Sequence, residues 1–413
     1  MIKIKKGIPL IDQHDKNYMY AGKFGGNFIP ESLKKPIDDL TKLFEKYRYD
    51  KSFIKERDWW YDNYLGAPTR FIRLENLTRY LGGAQIWAKM VSDYSTGSHK
   101  GLTAITHALL CKRSGKKILI TDSGAGENGK AYSIIAKAMG LKLYVFMGQV
   151  DISRQKKNVD IIKSNGAKII PVTTGSATLV DAVSESMRFF VSNNEKVYMG
   201  IGSLVGPSPY VKICGWSTAQ ISRELIIQVK NAFGKIPKKM KIFAAVGGGS
   251  SSFGIWNSFF NYSSKQIELI GVEAQGNFKN GKFHAAPLSN NSKIAIIHGF
   301  ASYCAQDKDG NVAHTDSCSA GLDYPSKSPI HSWLKDNKRV RFTNATNDEA
   351  FKAFELVNDL EEISPSLEVA HPIAEIIKVA PKLSKDTIVV LSCCGTSEKD
   401  SSIIKKKLGY YRR

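Results

Sequence analysis

Lys100 closes a turn of small residues, Ser95-Thr96-Gly97-Ser98-His99-Lys100, that opens onto a helix-forming stretch. Two further glycine turns follow, Ser123-Gly124-Ala125-Gly126-Glu127-Asn128-Gly129 and Gly247-Gly248-Gly249-Ser250-Ser251-Ser252. In the second, glycines let backbone N–H groups approach an anion closely and serines add hydroxyl donors, which suits a phosphate. A tight turn alone accounts for one glycine, not for three glycines followed by three serines. The first turn suits a carboxylate held by backbone amides. An amine beside a phosphate cradle and a carboxylate loop is the set of parts that pyridoxal phosphate chemistry requires. The lysine forms a Schiff base with the cofactor aldehyde while the loops hold cofactor and substrate. Taken alone, Lys100 would read as one more solvated lysine, and the loops are what single it out. The second loop is no dinucleotide fingerprint, and neither loop is a Walker loop. GxGxxG spacing is missing from the second and no GK[ST] follows either, which disfavours nicotinamide enzymes and nucleotide hydrolases.

These loops need elements to hold them. Apolar spacing at Leu33, Ile37, Leu40, Leu43 and Phe44 predicts a helix over 31–47. From residue 84 strands and helices alternate. Strands are expected at 86–90, 117–121, 142–147 and 168–172, with helices at 99–114, 129–139, 150–165 and 178–192. A second series has a helix at 217–233 and strands at 241–246, 267–272 and 387–392. Each glycine turn thus follows a strand and precedes a helix, placing its N–H groups at the carboxyl edge of a sheet, where open α/β folds bind ligands. The fold class expected is α/β with two lobes, each a mainly parallel sheet flanked by helices, and the active site between them.

A chain of 413 residues is long enough for one or two domains. No apolar run is long enough to span a bilayer, and no signal-like core follows the basic start Met1-Ile2-Lys3-Ile4-Lys5-Lys6, so a cytoplasmic location and no membrane partner are expected. Cys111, Cys214, Cys304, Cys318, Cys393 and Cys394 lack paired metal-ligand spacing and read as reduced thiols. The formal charge of +21 has three competing explanations: compositional drift toward lysine, attraction of an anionic substrate or acidic partner, and nucleic-acid binding. The last is disfavoured, because the lysines are dispersed and no basic-aromatic signature or arginine-rich arm appears. Trp59, Trp60 and Trp87 are expected in the core or between lobes, and His371 in a structural role.

The ordered motifs extend beyond the loops. They include Gly22-Lys23-Phe24-Gly25-Gly26-Asn27-Phe28-Ile29-Pro30-Glu31 and Gly66-Ala67-Pro68-Thr69. Met147-Gly148-Gln149-Val150-Asp151-Ile152-Ser153-Arg154-Gln155 is long and specific. So are Gly202-Ser203-Leu204-Val205-Gly206-Pro207-Ser208-Pro209-Tyr210 and Ser319-Ala320-Gly321-Leu322-Asp323-Tyr324-Pro325. With the three turns, they make the chain resemble the tryptophan synthase β subunit family of fold-type II pyridoxal phosphate enzymes over nearly its whole length. The resemblance implies an N-terminal lobe from 1–65 and 99–218, carrying the lysine, and a C-terminal lobe from 66–98 and 219–413, carrying the phosphate loop. It implies Lys100 as Schiff-base lysine and proton shuttle, with His99, Gly247, Gly248, Gly249, Ser250 and Ser251 around the cofactor phosphate. Ser251 stands where the family has asparagine. Glu368 falls near the cofactor ring and Cys394 at its pyridine nitrogen. Ser123, Gly124, Ala125, Gly126, Glu127 and Asn128 hold the substrate carboxylate, and Asp323 closes over its hydroxyl. Carbonyls of Gly247, Tyr324 and Ser326 match a monovalent-cation site for Na or K. A homodimer is implied, as is an α subunit that feeds indole, although the altered shell and high charge argue against the α pairing.

The departures cluster around the lysine. Asp122 stands where the family has a catalytic glutamate, and its carboxylate is set back by about 1.5 Å. A displacement of that size costs about a hundredfold in rate for an unchanged substrate, or makes room for a different one. Cys394 replaces the serine at the pyridine nitrogen, Thr396 replaces an arginine, and Glu127-Asn128 replaces a Gln-His pair. Residues 90–95 and Gly101-Leu102 depart as well. A kept skeleton inside an altered shell fits a changed substrate. Three functions follow. The first is β-replacement, in which L-serine or a similar β-substituted amino acid gives aminoacrylate and then takes up indole or an indole-like nucleophile. The second is a β-substitution or β-elimination of specialised metabolism with another nucleophile. The third, of another class, is a non-catalytic binding paralogue, against which the retained Lys100 argues.

Overall fold

A computed structural model of the chain describes residues 4–277, 283–290 and 292–409, so the first three residues of the basic N-terminus lie outside it. Two sheets organise these residues into the two-lobed α/β fold. In the four-stranded sheet all strands are parallel, in the spatial order Lys168–Val172, Lys142–Gly148, Ile118–Asp122 and Val197–Met199. The six-stranded sheet runs Val340–Thr346, Ile267–Gly276, Met240–Ala245, Ile388–Ser392, Gln85–Lys89 and Phe71–Arg73, parallel except for the last pair. Its register sets Ile270, Phe243, Leu391 and Ala88 abreast, all fully buried. Such continuous apolar strands belong to a sheet covered on both faces.

Helix Lys100–Arg113 is buried all round from Gly101 to Cys111. It has no solvent stripe because it lies inside the molecule, so its first residue is anchored by packing on every side. Three expected elements differ in detail. The helix expected over 150–165 is interrupted at Gln155, whose backbone (φ −116°, ψ 40°) separates Gln149–Arg154 from Lys156–Ser164. The helix expected to start at 217 is preceded by another, Tyr210–Thr218, and Ala219 joins it to Gln220–Phe233. Helix Glu127–Ala138 starts two residues before the expected 129. The glycine-rich stretch after Tyr20 contributes short strands Met19–Tyr20 and Phe24–Gly25, the second of which pairs with Phe300–Cys304 in a small antiparallel sheet.

Trp59 corrects the core assignment: helix Lys51–Trp60 buries Phe53 and Arg57, which leaves Trp59 on the opposite face at 55% exposure. Trp87 is partly buried between Phe71 and Phe233. All six cysteines are free thiols. No helix among the described residues is long and apolar enough to cross a membrane.

Candidate active site

Strand ends from both sheets converge on one cavity. Strand Ile118–Asp122 delivers Asp122 and the turn that follows it. Met240–Ala245 delivers Gly247, Gly248 and Gly249, and Ile388–Ser392 delivers Cys394. Lys100 and His99 enter at the start of their buried helix. Of the residues singled out from sequence, the wall also takes Ser123, Gly124, Ala125, Glu127, Asn128, Ser250, Ser251, Tyr324 and Glu368. Gly126, Asp323 and Ser326 are not on this wall. Gly126 adopts φ +78° and turns the chain into helix Glu127–Ala138, so it shapes the loop from behind. Asp323 lies in an adjoining groove with its Oδ1 accepting from Thr315 Oγ1 at 2.7 Å. Ser326 is fully buried and donates from Oγ to the Tyr303 carbonyl at 3.1 Å.

Lys100 Nζ donates to the Gly202 carbonyl at 2.6 Å. Asn128, just beyond the turn, donates from Nδ2 to Thr121 Oγ1 at 2.9 Å and to the Asp122 carbonyl at 2.7 Å. Its amide therefore stiffens the end of the strand that carries Asp122. Gly129 N donates to Ser123 Oγ at 3.0 Å, tying the turn to the helix it opens.

The glycine triplet leaves no room for side chains. Gly249 has φ +100°, and a Cβ there would lie 2.7 Å from His331 Cε1. A Cβ on Gly248 would collide with Ser203 Oγ, and one on Gly247 with the Gly321 carbonyl. The loop feeds helix Ser250–Trp256, whose first N–H groups have no partner within the helix. His99 Nε2 and Ser250 Oγ are 2.8 Å apart. The His99 ring also meets the Cys394 backbone. Burial, helped by the Lys100 charge, holds the His99 ring well below its ordinary pKa and therefore neutral.

Acids around the cavity are strongly perturbed. Burial raises Asp122 to about 6, with the Lys100 charge pulling the other way, and its Oδ1 has no partner among the described residues. Burial also raises Glu127 to about 7, opposed by Lys399 and reinforced by Glu368 and Asp400. Burial alone would raise Glu368, but the Lys399 ammonium, 2.6 and 2.7 Å from its two oxygens, holds it well below the usual range. Glu368 Oε1 also accepts from Gly321 N at 3.0 Å. Burial pushes the Cys394 thiol up to about 12, so it stays neutral.

Several wall residues were not anticipated. Leu179, Val183, Ile201, Val205 and Leu322 add apolar side chains to the wall. His298, with φ +47°, contributes its ring. Its Nε2 faces the Val180 carbonyl at 3.1 Å and so carries the proton, which leaves Nδ1 to accept from the Tyr324 hydroxyl at 2.8 Å. Burial pushes this histidine down to about 4. Lys399 and Asp400 follow Cys394 closely in sequence, and their adjacent opposite charges were the available signal. His371 is buried away from the cavity, with Nδ1 on the Leu367 carbonyl at 2.7 Å.

The family model described as "Pyridoxal-phosphate dependent enzyme" matches residues 63–395. Tryptophan synthase beta chains of Bordetella parapertussis and Bordetella bronchiseptica are each 39% identical over 390 residues, covering 94% of this chain and 96% of theirs. A fungal L-serine ammonia-lyase from Rhizomucor miehei superposes with a TM-score of 0.61 at 16% identity, over 84% of this chain and 99% of that one, a likeness of fold.

Proposed function

The chain belongs to the pyridoxal-phosphate dependent enzyme family and is a lyase akin to the tryptophan synthase beta chains; from that premise we propose that it replaces the β-substituent of L-serine, or of a similar amino acid, with an indole-like nucleophile. The carrying observation is one cavity that combines the glycine loops with apolar wall residues Leu179, Val183, Ile201, Val205 and Leu322, beside an unpartnered Asp122 oxygen. A plain elimination needs only water as its second reactant. Apolar wall surface is what a bulky aromatic nucleophile needs.

The residues fit the cofactor. A side-chain-free cradle at Gly247, Gly248 and Gly249 and the Ser250 and Ser251 hydroxyls suit its phosphate, with neutral His99 against Ser250 through Nε2. When bound, pyridoxal phosphate supplies an aldehyde for amines and an electron-withdrawing ring that acidifies the amino acid's α-carbon. Lys100 Nζ is the amine for that aldehyde and moves the proton at the α-carbon. Ser123, Gly124 and Ala125 orient the substrate carboxylate. Asp122, tuned by burial to about 6, is poised to give a proton to the departing hydroxyl and to take one from the incoming nucleophile. The neutral thiol of Cys394 withholds the negative charge that would keep the ring nitrogen protonated.

A mass-spectrometric product screen tests the reading. L-serine, L-threonine and O-phosphoserine are offered against indole, phenols and thiols. Tryptophan from serine and indole is the expected product; keto acid with no adduct from any nucleophile would sink the replacement reading. As assembly we propose a homodimer on the likeness to the beta chains alone, and a monomer in light scattering would end that.

A further inference from the structure

Lys327 has no exposure to solvent. Its ammonium donates to the Tyr324 carbonyl at 3.1 Å, one of the three carbonyls that the resemblance assigns to a monovalent metal cation. Burial pushes the lysine down to about 8, while the nearby carboxylates of Glu273 and Asp323 pull it back up. Glu273 is itself buried and accepts from Leu288 N at 3.1 Å and Ser289 N at 2.6 Å. The Lys327 backbone is pinned in turn, because Ser302 Oγ donates to its carbonyl at 2.6 Å.

A metal ion does not fit here. Sharing the Tyr324 carbonyl with the ammonium would bring two positive charges to within roughly 6 Å. At an effective dielectric of about 20, that repulsion weakens cation binding by about a hundredfold. The fixed ammonium already meets the carbonyl's need for a positive partner.

We propose that Lys327 is this protein's built-in monovalent cation: its ammonium replaces a metal ion at the Tyr324 carbonyl and positions the cavity wall. Tyr324 lines the cavity. Its hydroxyl is held by His298, its N–H by the Leu322 carbonyl at 2.9 Å and its carbonyl by Lys327. Lys327 is thus a positioning residue acting through Tyr324, whichever nucleophile the enzyme takes.

Holoenzyme is dialysed against a bulky cation, tetramethylammonium, and melted with and without K⁺, Na⁺ or Cs⁺ at constant ionic strength. The cofactor's visible absorbance and the sodium NMR linewidth are followed in parallel. A metal site filled at about a hundred times its Kd would raise the Tm of a chain this long by roughly 3 °C. Wild type is expected to show no such shift, no spectral change and no protein-dependent sodium broadening. The Lys327→Ala protein is expected to melt lower and to recover Tm and spectrum with K⁺ or methylammonium but not with tetramethylammonium, a rescue that mere loss of packing would not give. A saturable wild-type response to K⁺ or Na⁺ overturns the proposal, as does a folded Lys327→Ala protein indifferent to every small cation. Should that variant not fold, the wild-type titration and linewidth decide alone.

Discussion

Asp122→Asn removes the one carboxylate proposed to exchange protons with leaving group and nucleophile, and its consequences run in opposite directions for activity and stability. Burial raises this carboxyl from 3.8 to about 6. A rise of that size is about 3 kcal/mol of preference for the neutral acid. Because the folded value lies above the unfolded one, the contribution to stability is fully present below 3.8 and is lost as pH rises through about 6. Asparagine never ionises, so the variant escapes this loss. A chain of 413 residues unfolds with an entropy of roughly 0.9 kcal/mol/K. The variant's Tm, taken relative to wild type, should therefore climb by roughly 3 °C between about pH 4 and about pH 8. Any constant cost of burying an amide cancels in that difference. In the same protein kcat should fall by about 10²- to 10⁴-fold, the usual worth of a general acid or base. Wild-type kcat should carry a limb with an apparent pKa near 6 that the variant lacks. Thermal melts and kcat profiles across pH measure both. A flat Tm difference would show that Asp122 is not held as a buried, destabilised carboxylate. An unchanged kcat limb in the variant would remove it from the chemistry.

Lys100→Ala should remove the bound cofactor's Schiff-base absorbance band and all turnover; a retained Schiff-base band would refute its assignment as the cofactor's amine. Gly247→Ala drives a Cβ into the backbone carbonyl of Gly321, and overpacking of about 1–3 kcal/mol predicts a Tm lower by roughly 1–3 °C, with weaker cofactor binding read by equilibrium titration. Lys399→Met leaves Glu368, Asp400 and Glu127 without their shared cation and should cost about 3–5 kcal/mol, or roughly 3–6 °C in Tm. Lys399 holds Glu368 below its ordinary 4.5, so its stabilisation is present above that value and is lost only at lower pH. Without Lys399 the carboxyl shifts upward instead, and the Tm deficit should be widest near about pH 8 and narrow toward about pH 5; a pH-independent deficit would mean that the cluster acts by packing alone.

The parts of this site that were readable from sequence are those whose chemistry is carried by backbone geometry. Gly247 to Gly249 between an apolar strand and a serine-led helix announce a cradle because glycine is needed wherever backbone must approach a ligand or adopt the φ of +100° seen at Gly249. The alternation of strands and helices marked both sheets for the same reason, since apolar period and turn residues are local properties. Interruptions of one residue were invisible. Ile152 before Gln155 and Val159 and Ile162 after it keep helical spacing, so periodicity continues where the backbone does not. Strands of two residues, such as Phe24–Gly25, are too short to show any period.

Buried charge was the least legible feature, and it governs how the cavity treats anions. In the sequence, Lys327 sits in Ser-Lys-Ser-Pro and Lys399 in Glu-Lys-Asp, contexts in which a lysine normally stays in water. Only the packing of distant segments withdraws them: Glu273 toward Lys327, and Glu368 onto Lys399, 31 positions apart in sequence. With Lys100 on the Gly202 carbonyl, three ammonium groups at or near the cavity have their protons directed to fixed oxygens. A charge fixed in this way needs little reorientation when an anion arrives, which is the condition under which electrostatic stabilisation is strongest. The acids beside them, Asp122 and Glu127, are shifted upward and shed their charge readily as a ligand's phosphate and carboxylate enter. The chain's overall +21 is not accounted for by these three lysines. Their function follows from burial, and substituting an equal number of exposed lysines should leave the cofactor's affinity where it is.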